Sequence, residues 1–432
     1  MKRLILIIIY LVINSLSFSQ SLDSLLIEAM QRNFLIKSYQ SMIDAKRSKI
    51  VQTTALPSPT LSFEISQFNF ENPNILNNAL SNSIAISQMF PLGGKLSSME
   101  KVAVSEMKLS VNKLDALKNE LISKIKMKYY ELWKVEREIE IQEQNIDQLK
   151  NLESSLNLLY QVNKVGQSDI ILVQSEIAKN EVEVLNLDRR RNNLIKEINF
   201  LIGRESLDHE IVIDRNLQLK DANLTGEQID SLIISTNPEL KSIQSMIEMN
   251  QNEITANRKE LIPDLMVSGM IMRMPKGMIL TSKSVPMTTT GKEEIMFGVM
   301  ASINLPFAPW SKKKITYKIE ELENNTRSVE YEKVNMFQQM RKEAQTLLLI
   351  MKSNKDLIKL YEEKVLPSFD NVYKLQLTEL ETGRISVNSI IETSRMSLME
   401  KMKYLMAILE YQMAFVEVEK IIGQNLNKEY IR

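Results

Sequence analysis

The chain has 432 residues, with 54 Lys plus Arg against 54 Asp plus Glu, so its formal net charge is zero and gives no electrostatic reason to expect nucleic acid as a partner. It has no cysteine and a single histidine, His209. That removes disulfides, thiolate nucleophiles and iron-sulfur sites, and leaves little vocabulary for His-based catalysis or metal ligation.

Met1 to Gln20 reads as a basic start (Lys2, Arg3), an apolar run from Leu4 to Ile13, and small residues Ser17 and Ser19 at the spacing of a cleavage site. We read 1–19 as a secretory signal peptide; an anchor needs about 20 apolar residues, and this run breaks at Asn14. Nothing later in the chain approaches about 18 consecutive apolar residues, so entry of the mature protein into a bilayer would have to use strands.

Only 11 Gly and 11 Pro occur, and they are clustered, so long helices are expected between them. From Lys95 to Val165 there is neither, enough for a helix on the order of 100 Å long. Within it Leu132, Ile139 and Ile146 recur every seven residues, with Val135, Leu149 and Leu156 on the partner seam and Gln142 and Glu153 as polar interruptions. A second Gly- and Pro-free run, Gln167 to Ile202, ends at Gly203 as a helix with a glycine C-cap would. Together they predict a long antiparallel hairpin.

The chain repeats itself. Asn33 to Leu61 aligns with Asn237 to Leu265 at a constant offset: Lys37-Ser38, Gln40-Ser41-Met42-Ile43, Ile50, Pro59 and Leu61 recur as Lys241-Ser242, Gln244-Ser245-Met246-Ile247, Ile254, Pro263 and Leu265. Further on, Phe90-Pro91 corresponds to Leu305-Pro306, Gly166 to Gly383 and Gly203 to Gly423. The reading is two structural repeats, 20–235 and 236–432, each running helix, strand pair, long helix, glycine turn, return helix. Pro367 should interrupt the second long helix where the first has no counterpart. The strands are Leu61 to Ser66, Ser83 to Phe90, Leu265 to Arg273 and Ile295 to Leu305, each with period-two alternation. The fold class expected is mainly α with a small β part. Four strands cannot close a barrel, and their open edges would aggregate unless several chains complete one barrel in lipid.

The duplicated Asn33-Phe34 and Asn237-Pro238-Glu239-Leu240 segments, the strand entries at Pro59 and Pro263, the run Gln88-Met89-Phe90-Pro91-Leu92-Gly93-Gly94-Lys95, and Gly166 and Gly383 followed by Ile170-Ile171 and Ile390-Ile391 make this chain resemble the TolC-like outer-membrane efflux proteins. The resemblance covers nearly the whole mature chain. It implies a homotrimer in the outer membrane of a Gram-negative bacterium, with twelve strands forming one β-barrel and the helical hairpins an α-barrel that extends into the periplasm. Its implied role is the passive outer duct of a tripartite pump for metal ions or small toxic molecules, or of a protein-secretion system. The implied partners are a periplasmic adaptor (membrane fusion) protein and an inner-membrane transporter of RND type. No catalysis, cofactor or resident metal is implied. A soluble periplasmic coiled-coil adaptor is the alternative from another class; it should show one hairpin and a Gly-rich β domain.

In such proteins the turns joining long and return helices form the periplasmic tip, where the pore narrows and the adaptor docks. The matching residues here are Gly166 with Asp169, and Gly383 with Arg384. Both glycines are expected to take the left-handed backbone of a sharp reversal. Some relatives carry two acidic residues one turn apart on the second return helix, a pore constriction; the positions matching them are Ser389 and Glu392, so one acid is missing. Asp169 is either the first repeat's equivalent or simply a helix cap.

Alternation along the strands puts Leu61, Phe63, Ile65, Leu265 and Val267 on a lipid face. It puts Met266, Met270, Met272 and Met274 on the lumen face, joined by Met296 and Met300. Thioether sulfur suits Cu(I) or Ag(I), but methionine is also a generic apolar filler, and the chain has 25. Phe68, Phe70, Phe90, Phe307 and Trp310 stand near strand ends, either at a membrane interface or packed on helices.

Overall fold

The computed structural model describes residues 21–68, 71, 73–215, 217, 219, 224–276 and 291–426. The expected signal segment 1–19, Phe70, Asn72 in the first strand-pair loop, most of the second such loop (275–294) and the last six residues lie outside them.

The Gly- and Pro-free runs fold as their composition demands. Two short helices, α1 (Leu22–Arg32) and α2 (Phe34–Thr54), lead to strands β1 (Thr60–Ser66) and β2 (Ser81–Pro91). Then come the 67-residue α3 (Lys95–Gln161) and its return helix α4 (Gln167–Ile202). The second half repeats the order: α5 (Gly226–Thr236), α6 (Pro238–Lys259), β3 (Asp264–Met274), β4 (Glu294–Ile303), α7 (Pro309–Leu360), α8 (Leu366–Glu381) and α9 (Val387–Ile422). One π turn, Tyr361–Val365, joins α7 to α8 directly before Pro367. The interruption expected at Pro367 is therefore a widening of the turn that precedes it, because the proline has no N–H to continue the ladder.

These elements form two compact units, interleaved in sequence: Met1–Ser41, Asn112–Ser242 and Val334–Arg432 make one, Met42–Val111 and Ile243–Lys333 the other. In the first unit the seam residues Leu132, Val135, Leu149 and Leu156 are all fully buried. Near the hairpin turns, Leu149, Leu152 and Leu156 of α3 pack with Val173 and Ile177 of α4 and with Ile390 and Ile391 of α9. Trp133 and Tyr129, mid-way along α3, are buried against the connector after α4: Trp133 Nε1 donates to the Arg215 carbonyl at 3.4 Å, and the Tyr129 hydroxyl accepts from the Asp214 N–H at 3.2 Å.

The duplicated asparagines that flagged the repeat have one job each, done twice. Asn33 Oδ1 caps α2 by accepting from the N–H groups of Leu35 and Ile36, while its Nδ2 donates to the Leu201 carbonyl in the last turn of α4 at 2.8 Å. Asn237 Oδ1 caps α6 by accepting from Leu240 N–H at 2.8 Å, and its Nδ2 donates to the Ile421 carbonyl in the last turn of α9 at 2.7 Å. Each asparagine thus satisfies orphan groups of two helices at once. The return helices end in left-handed glycines, Gly203 (φ 87°) and Gly423 (φ 73°). A Cβ on Gly423 would lie 2.9 Å from the Asn237 Cα, and one on Gly203 would lie 3.0 Å from the Asn33 Cα.

The second unit holds a single antiparallel sheet in the order β1-β2-β3-β4, so the two sequence halves meet at the β2–β3 pair. The register sets Phe63 beside Ile84, Ile84 beside Ile271, and Ile271 beside Phe297. The face they share also carries Leu61, Ile86, Val267 and Val299, and it is exposed: Leu61 at 73%, Phe297 at 80%, Val299 at 85%. The other face carries Ser62, Glu64, Ser83, Ser87 and Ser268 together with methionines. Lys95, the first residue of α3, is buried and ion-pairs with Asp264, the first residue of β3, at 2.7 Å. That pair pins the strand-to-helix corner of the first half to the strand of the second.

Asn237→Ala removes a cap and strands a buried carbonyl, so it should lower stability by about 1–3 kcal/mol. Gly423→Ala should cost at least the ~1–2 kcal/mol of a left-handed alanine. Urea midpoints of the purified protein check both, and a wild-type midpoint for either variant would show that the asparagine–glycine contact at that position does not stabilise the fold.

Candidate functional site

The first hairpin turn is built from a Schellman-type close. Asn163 N–H bonds to the Tyr160 carbonyl at 2.9 Å and Lys164 N–H to the Leu159 carbonyl at 2.9 Å. The second turn repeats both bonds: Gly383 N–H to Leu380 at 3.0 Å and Arg384 N–H to Glu379 at 3.0 Å. The left-handed residue is Asn163 (φ 59°) in the first turn and Gly383 (φ 73°) in the second.

This corrects the expectation for Gly166. It has φ −86° and is the N-cap of α4, not the left-handed hinge. Its geometric counterpart is Ser386, the N-cap of α9, while the counterpart of Gly383 is Asn163. Asparagine tolerates the left-handed region better than most residues with a Cβ, because its short polar side chain bonds locally.

Correct pairing of the turns also pairs the two gate candidates. Asp169 and Ser389 each stand three residues after their caps. Asp169 Oδ2 accepts from the Gly166 N–H at 3.1 Å; Ser389 donates its N–H to Ser386 Oγ at 3.3 Å, and the two hydroxyls lie 2.9 Å apart. Both positions are therefore engaged in closing a helix N-terminus. Glu392, one turn on, is ion-paired with Arg395 at 2.7 Å. Arg384 and Gly383 are exposed at the turn.

Sequence reasoning missed what holds this end together. Arg395 of α9 also forms a two-point contact with Glu176 of α4, Nε to Oε1 at 2.9 Å and Nη2 to Oε2 at 2.6 Å. Beside it, Asn180 Oδ1 accepts from Gln142 Nε2 at 2.8 Å and from Asn145 Nδ2 at 3.3 Å, and the Ser394 hydroxyl donates to Asn145 Oδ1 at 2.7 Å. Residues of α3, α4 and α9 are thus cross-linked by polar groups inside an otherwise apolar seam. Gln142 appeared in the sequence only as a break in the heptad. The hydrogen bonds from Arg395 hold the Glu176 carboxyl below its ordinary value of 4.5, against the opposing effect of burial.

On the sheet, Met266, Met270, Met272, Met296 and Met300 all lie on the face opposite the exposed apolar one. Met272 is directly across from Met296, and Met266 from Met89. Among the described residues no group of three or more His, Asp or Glu side chains could hold a metal ion, and no helix is long and apolar enough to cross a membrane. Phe307 and Trp310, at the start of α7, are exposed.

Comparison with solved structures finds this arrangement of elements elsewhere. CusC, which changes conformation as it folds and forms a transmembrane channel, superposes with a TM-score of 0.76 at 12% identity over 94% of this chain and 93% of its own. The chain has the TolC-like fold. The outer-membrane protein VceC of Vibrio cholerae gives 0.70 at 13% identity, covering 94% of this chain and 96% of its own. The Campylobacter jejuni outer-membrane channel CmeC gives 0.69 at 15% identity, covering 93% and 85%. No family model matches the sequence, and no curated protein matches it.

A carboxylate whose folded value is depressed stabilises above its unfolded value and stops doing so as pH falls through the folded one. Glu176→Gln should therefore be less stable than wild type at pH 7, with the gap closing once pH drops well below 4.5. Paired urea titrations across that range test this; a gap that stays constant into acid would show that the Glu176 to Arg395 contact carries no charge-dependent stability.

Proposed function

We propose that the protein is the outer-membrane channel of a tripartite efflux system in a Gram-negative bacterium, exported by the signal at 1–19 and passively conducting metal ions or small toxic molecules outward. On this reading it is not an enzyme. The observation that carries it is the sheet. Strands β2, β3 and β4 have 11, 11 and 10 residues, which matches the ~9–11 residues of a tilted membrane strand. One face is exposed and apolar through its middle, with Asn82, Gln88 and Arg273 towards its ends, and the other is rich in serine, as lipid and lumen faces of a barrel should be. Four strands leave β1 and β4 as edges, and strand edges are not tolerated in hydrocarbon. Three chains would supply twelve strands and join every β4 to a neighbour's β1.

The Campylobacter jejuni outer-membrane channel and the Vibrio cholerae outer-membrane protein share the fold, which supports the same location here. The two repeats, 20–235 and 236–432, would then give the trimer six hairpins forming an α-barrel in the periplasm. The turns carrying Gly166, Asp169, Gly383, Arg384, Ser389 and Glu392 would form its tip. There a periplasmic adaptor would dock, linking the duct to an inner-membrane transporter of RND type. Asp169 offers one carboxylate per chain near the turn, whereas Glu392 shares its charge with Arg395. The exposed apolar strand face also weighs against a soluble adaptor, which would have to cover it.

The mature protein extracted from outer membranes should run as a heat-modifiable trimer and give stepwise conductance in planar bilayers. Recovery as a detergent-free, water-soluble monomer would overturn the reading. Neighbouring residues of β4 sharpen the test, because they sit at the same depth on opposite faces. Val299→Arg should abolish assembly, at a cost of about 2–4 kcal/mol per chain near the bilayer midplane, while Met300→Arg should assemble. The reverse pattern would invert the faces.

A further inference from the structure

Methionine is not spread over the strands at random. Strands β3 and β4, 11 and 10 residues long, hold Met266, Met270, Met272, Met274, Met296 and Met300, whereas the whole chain has 25 in 432 residues. All six share the face that carries Ser268, Ser302 and Glu294. The apolar face uses Leu265, Val267, Ile271, Ile295, Phe297, Val299 and Ile303 and contains none. A filler would be expected where the aliphatic residues are, because Met and Leu bury comparable apolar area. The segregation runs the other way. What separates Met from the Leu, Ile and Val it avoids is a polarizable sulfur.

The geometry gathers those sulfurs. Met272 and Met296 are direct cross-strand partners, so their Cβ atoms are about 4.5–5.5 Å apart. Met270 faces Gly298 across the same pair of strands, and the missing side chain is used: a Cβ on Gly298 would lie 3.0 Å from Met270 Cγ, 3.3 Å from Cε and 3.7 Å from Sδ. Met270 therefore reaches over β4 at position 298, between Met296 and Met300, which stand about 6.6 Å to either side along the strand. Met296 is 38% and Met300 51% exposed, so the row is open to a visiting ion.

We propose that Met270, Met272 and Met296 form a thioether site for a soft monovalent cation, Cu(I) or Ag(I), with Met300 as the next position along the row. This deepens the channel reading and rests on it for the role of the ion as cargo. Neutral thioethers favour soft ions over divalent hard ones, and no carboxylate or imidazole cluster competes among the described residues. Neutral thioethers leave the ion its single positive charge and release no proton on binding, so exchange between Met296, Met270 and Met300 needs only displacement of one sulfur by another.

The test uses the full mature protein in detergent, in chloride-free nitrate buffer. Silver(I) nitrate is titrated by calorimetry, and Cu(I) is added for X-ray absorption at the copper edge. Wild type should bind with sulfur neighbours. Met270→Leu/Met272→Leu/Met296→Leu, which preserves volume, should weaken Ag(I) by tenfold or more, given that losing even an outer-shell partner typically costs about 10- to 100-fold. Met396→Leu/Met399→Leu, on α9, should bind as wild type does. The inference is overturned if wild type shows no sulfur-coordinated metal, or if the triple variant binds undiminished. Bilayer conductance of the same preparations separates the two readings. Pores of equal conductance from wild type and triple variant show that both are folded, so a negative binding result then sinks the metal site alone. Absence of pores from wild type sinks the channel reading, while the titration still decides whether the thioether site exists.

Discussion

A β-strand edge is a row of amide N–H and carbonyl groups that must be bonded to something, and in hydrocarbon no water is available to do it. This chain ends its sheet with two such edges, β1 and β4, while offering an apolar surface of Leu61, Phe63, Ile84, Ile271, Phe297 and Val299 to its surroundings. Neither property is tolerable in isolation. Long, flat, apolar strands with free edges are the usual starting point of aggregation, and an exposed apolar patch of this kind usually marks a surface built to be covered. On the channel reading the sheet becomes part of something closed, and the duplicated architecture serves to deliver two strand pairs from one chain into adjacent positions.

Delivery is achieved by duplication with shared fasteners. Each half uses an asparagine to cap one helix while bonding the last turn of another, against a left-handed glycine that allows the backbones within about van der Waals distance. Each half also contributes a strand pair, and the junction between halves is secured by the β2–β3 ladder and by Lys95 on Asp264. A buried ion pair of this sort adds little net stability, but breaking it leaves an uncompensated buried charge.

Much of this was legible from the residues. The long helices, the end of α4 at Gly203, the four strands and their face parity follow from Gly and Pro placement and from period-two alternation, signals that are local and strong. The turn equivalence was not legible, because matching glycine to glycine paired Gly166 with Gly383, whereas backbone geometry pairs Asn163 with Gly383. An asparagine can take the left-handed role, so identity of residue type is a poor guide to identity of conformation there. The polar cross-links were invisible for a different reason. Glu176 and Arg395 are 219 residues apart, and a charge on a helix announces nothing about which distant helix will answer it. Gln142 looked like a flaw in a heptad and is a member of a buried network.

The π turn at Tyr361–Val365 separates the two hairpins in kind. An α-helix can absorb one additional residue without unravelling by opening a single turn, and the residues beyond it are then rotated by about 100° relative to those before. Here the first two residues of the opening are tied to the neighbouring helix, Tyr361 donating to Glu400 and Glu362 accepting from Tyr404. A gene copied head to tail starts with two interchangeable arms. This one-residue phase shift makes them different objects, so a ring assembled from such chains would alternate between two kinds of stave and a protein clasping it from outside would meet two kinds of seam.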